Sequence, residues 1–475
     1  MLKYHTDTID RLHLESYMKF NDLSWIEVIQ SVKMCQKRIY GLSRIGNIVE
    51  VRNIQKKLFI NKKACLLAIR CVLNRNVQYQ LRLKKTNSDF LFVDPHILSC
   101  TTHINRFIDE NQKVIVNLVI HELVLIILRP EWEARLEPNC YGFSASLAIK
   151  QAIIKAYSIL TQNQIYKNST VLVGNLNNWI PKLETSFILK KSNYTGTLKK
   201  YLSSVCTRSL FSSSSSLINK KFQFIDITGF PYNSIALLFA NIVFYGLEMS
   251  VAWQTNSNQC NCKEDNIRHI RTIVCSDHFL IIFPDTNIND ITVVINVIRS
   301  FFASLGLILQ DSSLSVESIH DGFDFLGFNF KRHRNKEAWN NEKTKLILKP
   351  TSNNIKKHLL SMRYCLYHKD RLNRWRANAQ MTQYDVINQL NPIIKEFTTY
   401  YQDLIPSSVL KTLDRTLNEF IYRYAIKKYK SNRSQKWNNN WTTIVNGKKV
   451  IAYKNETKVG YQLLFLHYNK ATYLS

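Results

Sequence analysis

From Trp25 onward, apolar residues recur three and four positions apart: Trp25, Val28, Ile29, Val32, Cys35, Ile39 and Leu42. Glu27, Gln30, Lys33, Lys37 and Arg38 take the opposite side, so the pattern predicts an amphipathic helix. Ser24-Trp25-Ile26-Glu27 ahead of it has the form of a capping box. Residues 62–73 repeat the pattern with Lys62, Lys63 and Arg70 outward. The run 114–128 is the most apolar of the chain, too short to span a bilayer comfortably and interrupted by Asn117, His121 and Glu122. It predicts a buried helix. Ala148, Ala152, Ile153, Ala156, Tyr157 and Leu160 predict another. At 271–283, R-T-I-V-C-S-D-H-F-L-I-I-F, two β-branched or aromatic runs flank Ser276-Asp277-His278. This reads as strand, tight turn, strand, with one carboxylate at the tip. Phe323, Phe325 and Phe328 alternate as in a packed strand, and Gly327 permits a close backbone approach. Helical spacing then returns in 355–367 and 383–390, with Asn391-Pro392 read as the cap and first residue of a further helix. A longer helix turns Val409, Leu410, Leu413, Leu417, Phe420, Ile421 and Tyr424 inward and Lys411, Arg415, Arg423 and Lys427 outward.

The chain of 475 residues has room for two to four domains, and its 45% hydrophobic content is ample for buried cores. What changes the picture is charge: net +29, far beyond the needs of solubility. Residues 331–460 hold 27 Lys and Arg against 9 Asp and Glu, so +18 of that total. Such an excess points to a polyanion, nucleic acid before an anionic membrane. The 23 Tyr and 24 Phe among the cations suit single-stranded or folded RNA. The N-terminus carries neither a secretory apolar core nor an Arg/Ser-rich transit segment. Ten cysteines are scattered without a framework and read as reduced, buried thiols; Cys260-Asn261-Cys262 is the one close pair, without a second pair to complete a zinc site. Five serines at 212–216 running into Asn219-Lys220-Lys221 have loop composition.

Several stretches resemble one family. W-I-E-V-I-Q-S-V-K-M-C-Q-K-R-I-Y with N-I-Q-K-K-L and A-I-R-C-V-L-N-R-N is similar to the N-terminal region of group II intron reverse transcriptases and maturases. R-P-E-W-E-A-R-L-E-P-N-C-Y-G-F at 129–143 is nearly the family's fingers motif, in which Trp132 and Tyr141 read as core residues packing fingers against palm. Gly229, Pro231, Ala240, Asn241, Gly246, Leu247 and Glu248 fit the segment that positions template and nucleotide, and D-G-F-D-F-L-G-F-N-F at 321–330 is close to the palm–thumb strand. L-N-P-I-I-K-E-F-T-T-Y-Y at 390–401 resembles the core of the maturase domain, domain X, and K-K-Y-K-S-N-R-S-Q-K-W at 427–437 its basic end.

The resemblance implies an α+β chain: right-hand polymerase-like fingers and a mixed α/β palm, then an all-α thumb and domain X. Its divisions would be a basic helical module at 1–80, fingers at 81–165, palm at 166–340, thumb and domain X at 341–440, and a tail at 441–475 without an H-N-H endonuclease. The departures fall at functional positions. Asn175 stands where the family has a metal-binding aspartate, and His278 follows Asp277 where it has a second. Tyr232-Asn233 replaces Gln-Gly, Ile180-Pro181 replaces Phe-Asp, Ser144 replaces an arginine, and only R-L-K-K-T-N-S-D at 82–89 is left of a fingers loop. Two-metal nucleotidyl transfer needs converging carboxylates, and magnesium wants hard anionic oxygens. One aspartate does not meet that need; a working polymerase would require a relocated acid, with Asp226 and Glu184 as neighbours. The expectation is a maturase that binds structured group II intron RNA and assists splicing, holding no cofactor itself while the RNA uses its own Mg²⁺. An active RNA-directed DNA polymerase and a non-functional relic are the alternatives. The partner is the precursor transcript, with neither a membrane nor a small-molecule substrate; the compartment is the plastid, with the mitochondrion as alternative. The contact residues expected are Lys33, Lys37, Arg38, Lys62 and Lys63 in the N-terminal module. Arg371, Arg374, Arg376, Lys395, Lys411, Arg415, Arg423, Lys427, Lys428, Lys430, Arg433 and Lys436 form the second set, with Tyr400 and Tyr401 as candidate stacking groups, one of them core at helical spacing. Each alone reads as a solvated charge; as a cluster they favour RNA.

Overall fold

A computed structural model describes residues 24–75, 110–142, 145–162, 164–175, 185–194, 196, 199, 202–203, 234–256, 270–275, 278–284, 288–334, 344–378, 380–428, 431–445, 448–454 and 461–468. Asp277, Lys430, Ser144, Glu184, Asp226, the pairs Ile180-Pro181 and Tyr232-Asn233, the Cys260/Cys262 pair, and the loops at 82–89 and 212–221 lie outside these residues.

The first helical stripe forms α1 (Trp25–Arg44), burying Val28, Val32 and Ile39. It begins at the expected residue, but the Ser24 side chain makes no capping bond. A helix not read from the pattern follows, α2 (Ile48–Phe59), capped by Asn47, whose side chain accepts from the Glu50 amide at 3.2 Å. Then come α3 (Lys62–Arg75) and α4 (Glu110–Arg135). Around Leu123–Leu128, α4 is buried on every side, as befits a helix apolar all round; α1, α2 and α3 pack on it. Pro130 lies inside α4 and cannot donate to the Ile126 carbonyl. Gln36 of α1 supplies the missing bond, Nε2 to Ile126 O at 2.9 Å.

A five-stranded sheet sits at the centre, in the order β1-β3-β4-β2-β5. Its strands are β1 (Cys140–Tyr141), β2 (Thr170–Asn175), β3 (Arg271–Cys275), β4 (His278–Phe283) and β5 (Leu314–Ser318). The expected hairpin is therefore β3–β4, and β1 runs parallel to β3 while the other neighbours are antiparallel. Both faces are covered, which explains the near-continuous apolar runs. Leu172, Val274, Phe279, Ile281 and Phe283 face the core shared with α4, α7 (Ser234–Phe244), α8 (Leu247–Asn256) and α9 (Ile288–Ser304). Val171, Val173, Ile273, Leu280 and Ile282 face α5 (Ala145–Gln162) and a second core. Gly174 is required here: a Cβ would stand 2.0 Å from the Phe279 ring. On the first face, α6 (Thr185–Ser192) offers Lys191, whose Nζ donates to the Val243 and Tyr245 carbonyls at 2.7 and 2.6 Å, capping the end of α7. Burial lowers its pKa to about 8.

Residues 321–330 form a hairpin rather than one strand: β6 (Phe323–Phe325) and β7 (Phe328–Arg334), joined by β8 (Thr344–Pro350) in a separate sheet. The turn residues Leu326 and Gly327 both have positive φ, which breaks the strand that the phenylalanine alternation suggests. Phe323 and Phe330 stack across it, centroids 4.9 Å apart.

The C-terminal part holds α10 (Ser352–Leu366), α11 (Gln383–Tyr401) and α12 (Ser407–Lys428). Two expectations are corrected. The region is not all-α: besides β8 it contains the hairpin β9 (Tyr367–Lys369) and β10 (Trp375–Ala377). Nor does a helix end at Leu390, because α11 runs through Asn391 and Pro392. Its buried stripe, Val386, Ile387, Leu390, Ile393, Ile394, Phe397 and Tyr401, continues in phase across the proline. Burial at about 1.5–3 kcal/mol per large apolar side chain outweighs the ~3 kcal/mol cost of an interior proline. Beyond α12 come a short helix α13 (Arg433–Lys436), a π-helical turn Trp437–Trp441, and the residues expected as a tail. These hold a three-stranded antiparallel sheet, β11 (Thr442–Val445), β12 (Lys448–Lys454) and β13 (Tyr461–Leu463), packed on α11.

Candidate nucleic-acid interface

At one end of the central sheet the register sets Tyr141 beside Cys275, Cys275 opposite His278, and His278 opposite Asn175. The sequence-predicted Asn175 and His278 are thus brought together. Asn175 Oδ1 is buried without a hydrogen-bond partner. A neutral amide, an imidazole and a buried thiol are the donors of this row, a set suited to softer transition metals rather than magnesium. Among the described residues, no group of three or more His, Cys, Asp and Glu side chains is placed to hold a metal ion.

The row is held by the motif at 129–142, whose polar residues turn out to be structural. Glu131 is fully buried and accepts from Arg52 Nη1 at 2.6 Å, Gln55 Nε2 at 2.8 Å and Tyr194 OH at 2.8 Å, with Arg135 at 3.0 Å. Trp132 is core, its Nε1 donating to Tyr194 OH at 3.0 Å; Tyr141 is half-buried. Burial, then the Glu131 charge, holds the Tyr194 hydroxyl well above its ordinary pKa. Glu137 accepts from the amides of Glu248 and Met249 at 3.1 and 3.0 Å, capping α8. Glu248 in turn accepts from Asn139 Nδ2 at 2.6 Å, and Gly142 lies against Asn241. The two resembling segments, 129–142 and 240–248, are therefore clasped to each other. The described cysteines form no disulfide with one another and are buried or half-buried, with burial pushing the Cys140 thiol up and Cys365 to about 11. Cys140 and Cys365 are therefore poor nucleophiles at neutral pH.

The expected cations divide between two places. Lys33, Lys37 and Arg38 lie exposed on α1, and Lys62 and Lys63 are exposed at the start of α3. Arg38 pairs with Glu50 at 3.3 Å, both well exposed. The second set gathers around α10–α12. Lys411, Arg415, Arg423 and Lys427 follow one another along α12 with Glu419 between, all exposed. Arg423 pairs with Glu419; Lys411 Nζ lies 4.8 Å from the Tyr468 ring centroid and Lys427 Nζ 5.4 Å from that of Tyr367. Lys395 is exposed on α11, Arg433 is exposed and Lys436 half-exposed in α13, and Lys428 ends α12. Arg371, Arg374 and Arg376 are exposed in the β9–β10 hairpin, where Arg374 and Arg376 share Asp370 at 3.1 Å each. The tyrosines are not free for bases. Tyr401 is buried and Tyr400 half-buried, their hydroxyls donating to Gly327 O at 2.9 Å and Leu326 O at 2.8 Å. The pattern missed Asp370 and the Trp375 platform, where Arg363 stacks 4.2 Å from the ring centroid. The closely spaced arginines were the only hint of them.

Residues 367–441 match the family described as the group II intron, maturase-specific domain. Over 435 residues the chain is 24% identical to Maturase-like protein 1 of Euglena longa, spanning 87% of this chain and 84% of that one. Together these two matches support a group II intron maturase. A solved structure of telomerase from Candida albicans, in complex with a TWJ fragment of telomeric RNA, aligns with this chain at a TM-score of 0.28 and 14% identity. That alignment covers 67% of this chain and 55% of the telomerase chain, so it spans little more than half of the telomerase chain. The matched domain runs from β9 through the π-helical turn and takes in the hairpin, α11, α12 and α13. Among the described residues, no helix is long and apolar enough to cross a membrane.

Proposed function

We propose that this chain is a group II intron maturase that grips the folded RNA of its intron and assists its folding and splicing, while the RNA performs both transesterifications on its own magnesium. The observation that carries this reading is the coincidence of the maturase-specific match with a unit whose apolar residues close inward around α10–α12 and whose outer faces carry exposed cations. Neutralising phosphates is what such a surface does best, and the binding it gives is steeply salt-dependent. In this reading the N-terminal helices are fingers and the five-stranded sheet is a palm; β6–β8 with α10–α12 are thumb and maturase domain. The palm has lost its metal site, as the Asn175 and His278 pairing supports, and the protein binds no cofactor. A plastid is the compartment we infer, with a mitochondrion as alternative; a composition low in Gly and Pro and the relative from Euglena longa support it.

Two measurements test this. Precursor transcripts incubated at low magnesium are expected to splice faster with the purified protein, with an effect that fades as salt rises. Unchanged rates for every group II intron of its own genome would sink the proposal. Primer extension on an RNA template is expected to give no product; template-dependent DNA synthesis lost in Asp277→Asn would overturn the absence of a metal site.

A further inference from the structure

We propose that the β9–β10 hairpin is a preorganised phosphate clamp for the intron RNA backbone, in which Asp370 holds Arg374 and Arg376 side by side. The inference rests on the maturase reading and names the element that takes the phosphate. The sequence D-R-L-N-R-W-R forms a tight turn, with Asn373 in the left-handed region at φ 62°. Asp370 Oδ1 accepts from the amides of Leu372 and Arg374 at 3.0 and 2.9 Å, while Oδ2 accepts from Arg374 Nε and Arg376 Nε, both at 3.1 Å. Each guanidinium is therefore tethered by Nε alone. Its Nη nitrogens have no partner among the described residues, and the two side chains are 58% and 54% exposed against 21% for Asp370. Two cations on one carboxylate leave one positive charge uncompensated, with Arg371 exposed at the tip. Paired, planar, forked donors match the oxygens of a phosphodiester, which a lysine point charge does not reproduce.

The mounting is rigid. Trp375 is stacked by Arg363 of α10 at 4.2 Å and faces Tyr364 at 4.9 Å. Asn378 bonds His368 Nδ1 at 2.6 Å and Cys365 O at 3.2 Å, and its carbonyl accepts from Tyr424 OH of α12 at 2.6 Å. The clamp is thereby fixed to the helices that carry the remaining cations, so little ordering is left for the moment of binding.

Asp370→Asn separates this clamp from a diffuse positive field. It adds a unit of positive charge and keeps the Oδ1 acceptor of the turn, but replaces the oxygen that holds both Nε groups. A diffuse field predicts tighter intron binding; the clamp predicts weakening by roughly tenfold, the loss of one charge-assisted pair of bonds. The double variant Arg374→Lys/Arg376→Lys keeps the charge, and with it the slope of log K against log salt, and is expected to weaken binding similarly because the forked donors are lost. Binding isotherms of the full chain on intron RNA at several salt concentrations give both readouts, with melting temperature verifying the fold. Equal or tighter binding by Asp370→Asn together with unchanged binding by the lysine variant overturns the clamp alone. Failure of the unaltered protein to bind intron RNA overturns the clamp and the maturase reading together.

Discussion

The side chains that matter most to the fold each answer a debt left by another residue. Pro130 has no N–H, so the Ile126 carbonyl deep in α4 needs a donor from elsewhere, and Gln36 reaches across from α1 to provide it. Gln36→Leu should cost about 1–3 kcal/mol, the penalty of a buried acceptor left unpaired. Pro130→Ala restores the helical N–H, so in that background Gln36→Leu should cost far less. Urea unfolding of the two single variants and the double variant measures the coupling, and additive losses would refute this account. Glu131 follows the same logic with charge: a carboxylate buried to 0% exposure persists because Arg52, Arg135, Gln55 and Tyr194 converge on it. Arg135 is one helical turn away, but Arg52, Gln55 and Tyr194 lie far from Glu131 along the chain, and no local pattern announces them.

Elements show where short-range reading succeeds and where packing takes over. The turn between β6 and β7 is fixed from outside: Gly327 has φ 79°, its carbonyl accepts from Tyr401 OH and the Thr351 amide, and an added Cβ would stand 2.7 Å from Asn354 Nδ2. Gly327→Ala is expected to destabilise by roughly 1–3 kcal/mol through backbone strain alone, before the clash with Asn354. A thermal midpoint within a degree of wild type would show that the turn relaxes freely. The close approach at Gly327 was legible in the sequence, as were α1, α12 and the β3–β4 hairpin, because apolar spacing along a few turns or strands decides them. Helix α2 escaped because Gln55, a buried polar residue serving Glu131, stands where its stripe calls for an apolar one. The β9–β10 hairpin escaped for another reason: its three-residue strands have no alternation and are held by Asp370 and by Trp375 against Arg363. Pro392 misled because proline is an honest local stop signal, overridden here by a buried stripe on both sides of it.

At the scale of the whole molecule, the chain's last described residues return to the helices that bear the cations, through a buried polar relay. His467 Nδ1 lies 2.8 Å from Asp414 Oδ1 on α12, and the amides of His467 and Tyr468 donate to the same carboxylate at 2.7 and 3.0 Å. His467 Nε2 is 2.8 Å from His358 Nε2 on α10, so with His467 donating to Asp414, His358 must donate to His467. The remaining nitrogen, His358 Nδ1, is buried without a partner, and the ring stacks on Phe397 at 4.1 Å. Burial first, and the His467 neighbour second, hold the His358 pKa well below 6.5. His121 on α4 is held down to about 4 by burial. The unfolded chain takes up protons at these positions as pH falls below 6.5, while the folded chain resists, so both histidines stabilise fully above pH 6.5 and progressively less below it. The two effects should separate in space. Acidification from pH 7 to 5 is expected to raise hydrogen exchange in 461–468 and at the facing turns of α10 and α12, since protonated His358 opens this closure. His358→Phe keeps the stack on Phe397 without a titrating ring, and should remove most of the acid-induced rise there while leaving the His121 contribution in α4 intact. Exchange that rises equally in both proteins would show that the closure is insensitive to His358. If the rise is confined to wild type, acid loosens the end of the chain from the cation-bearing helices while the central sheet stays closed.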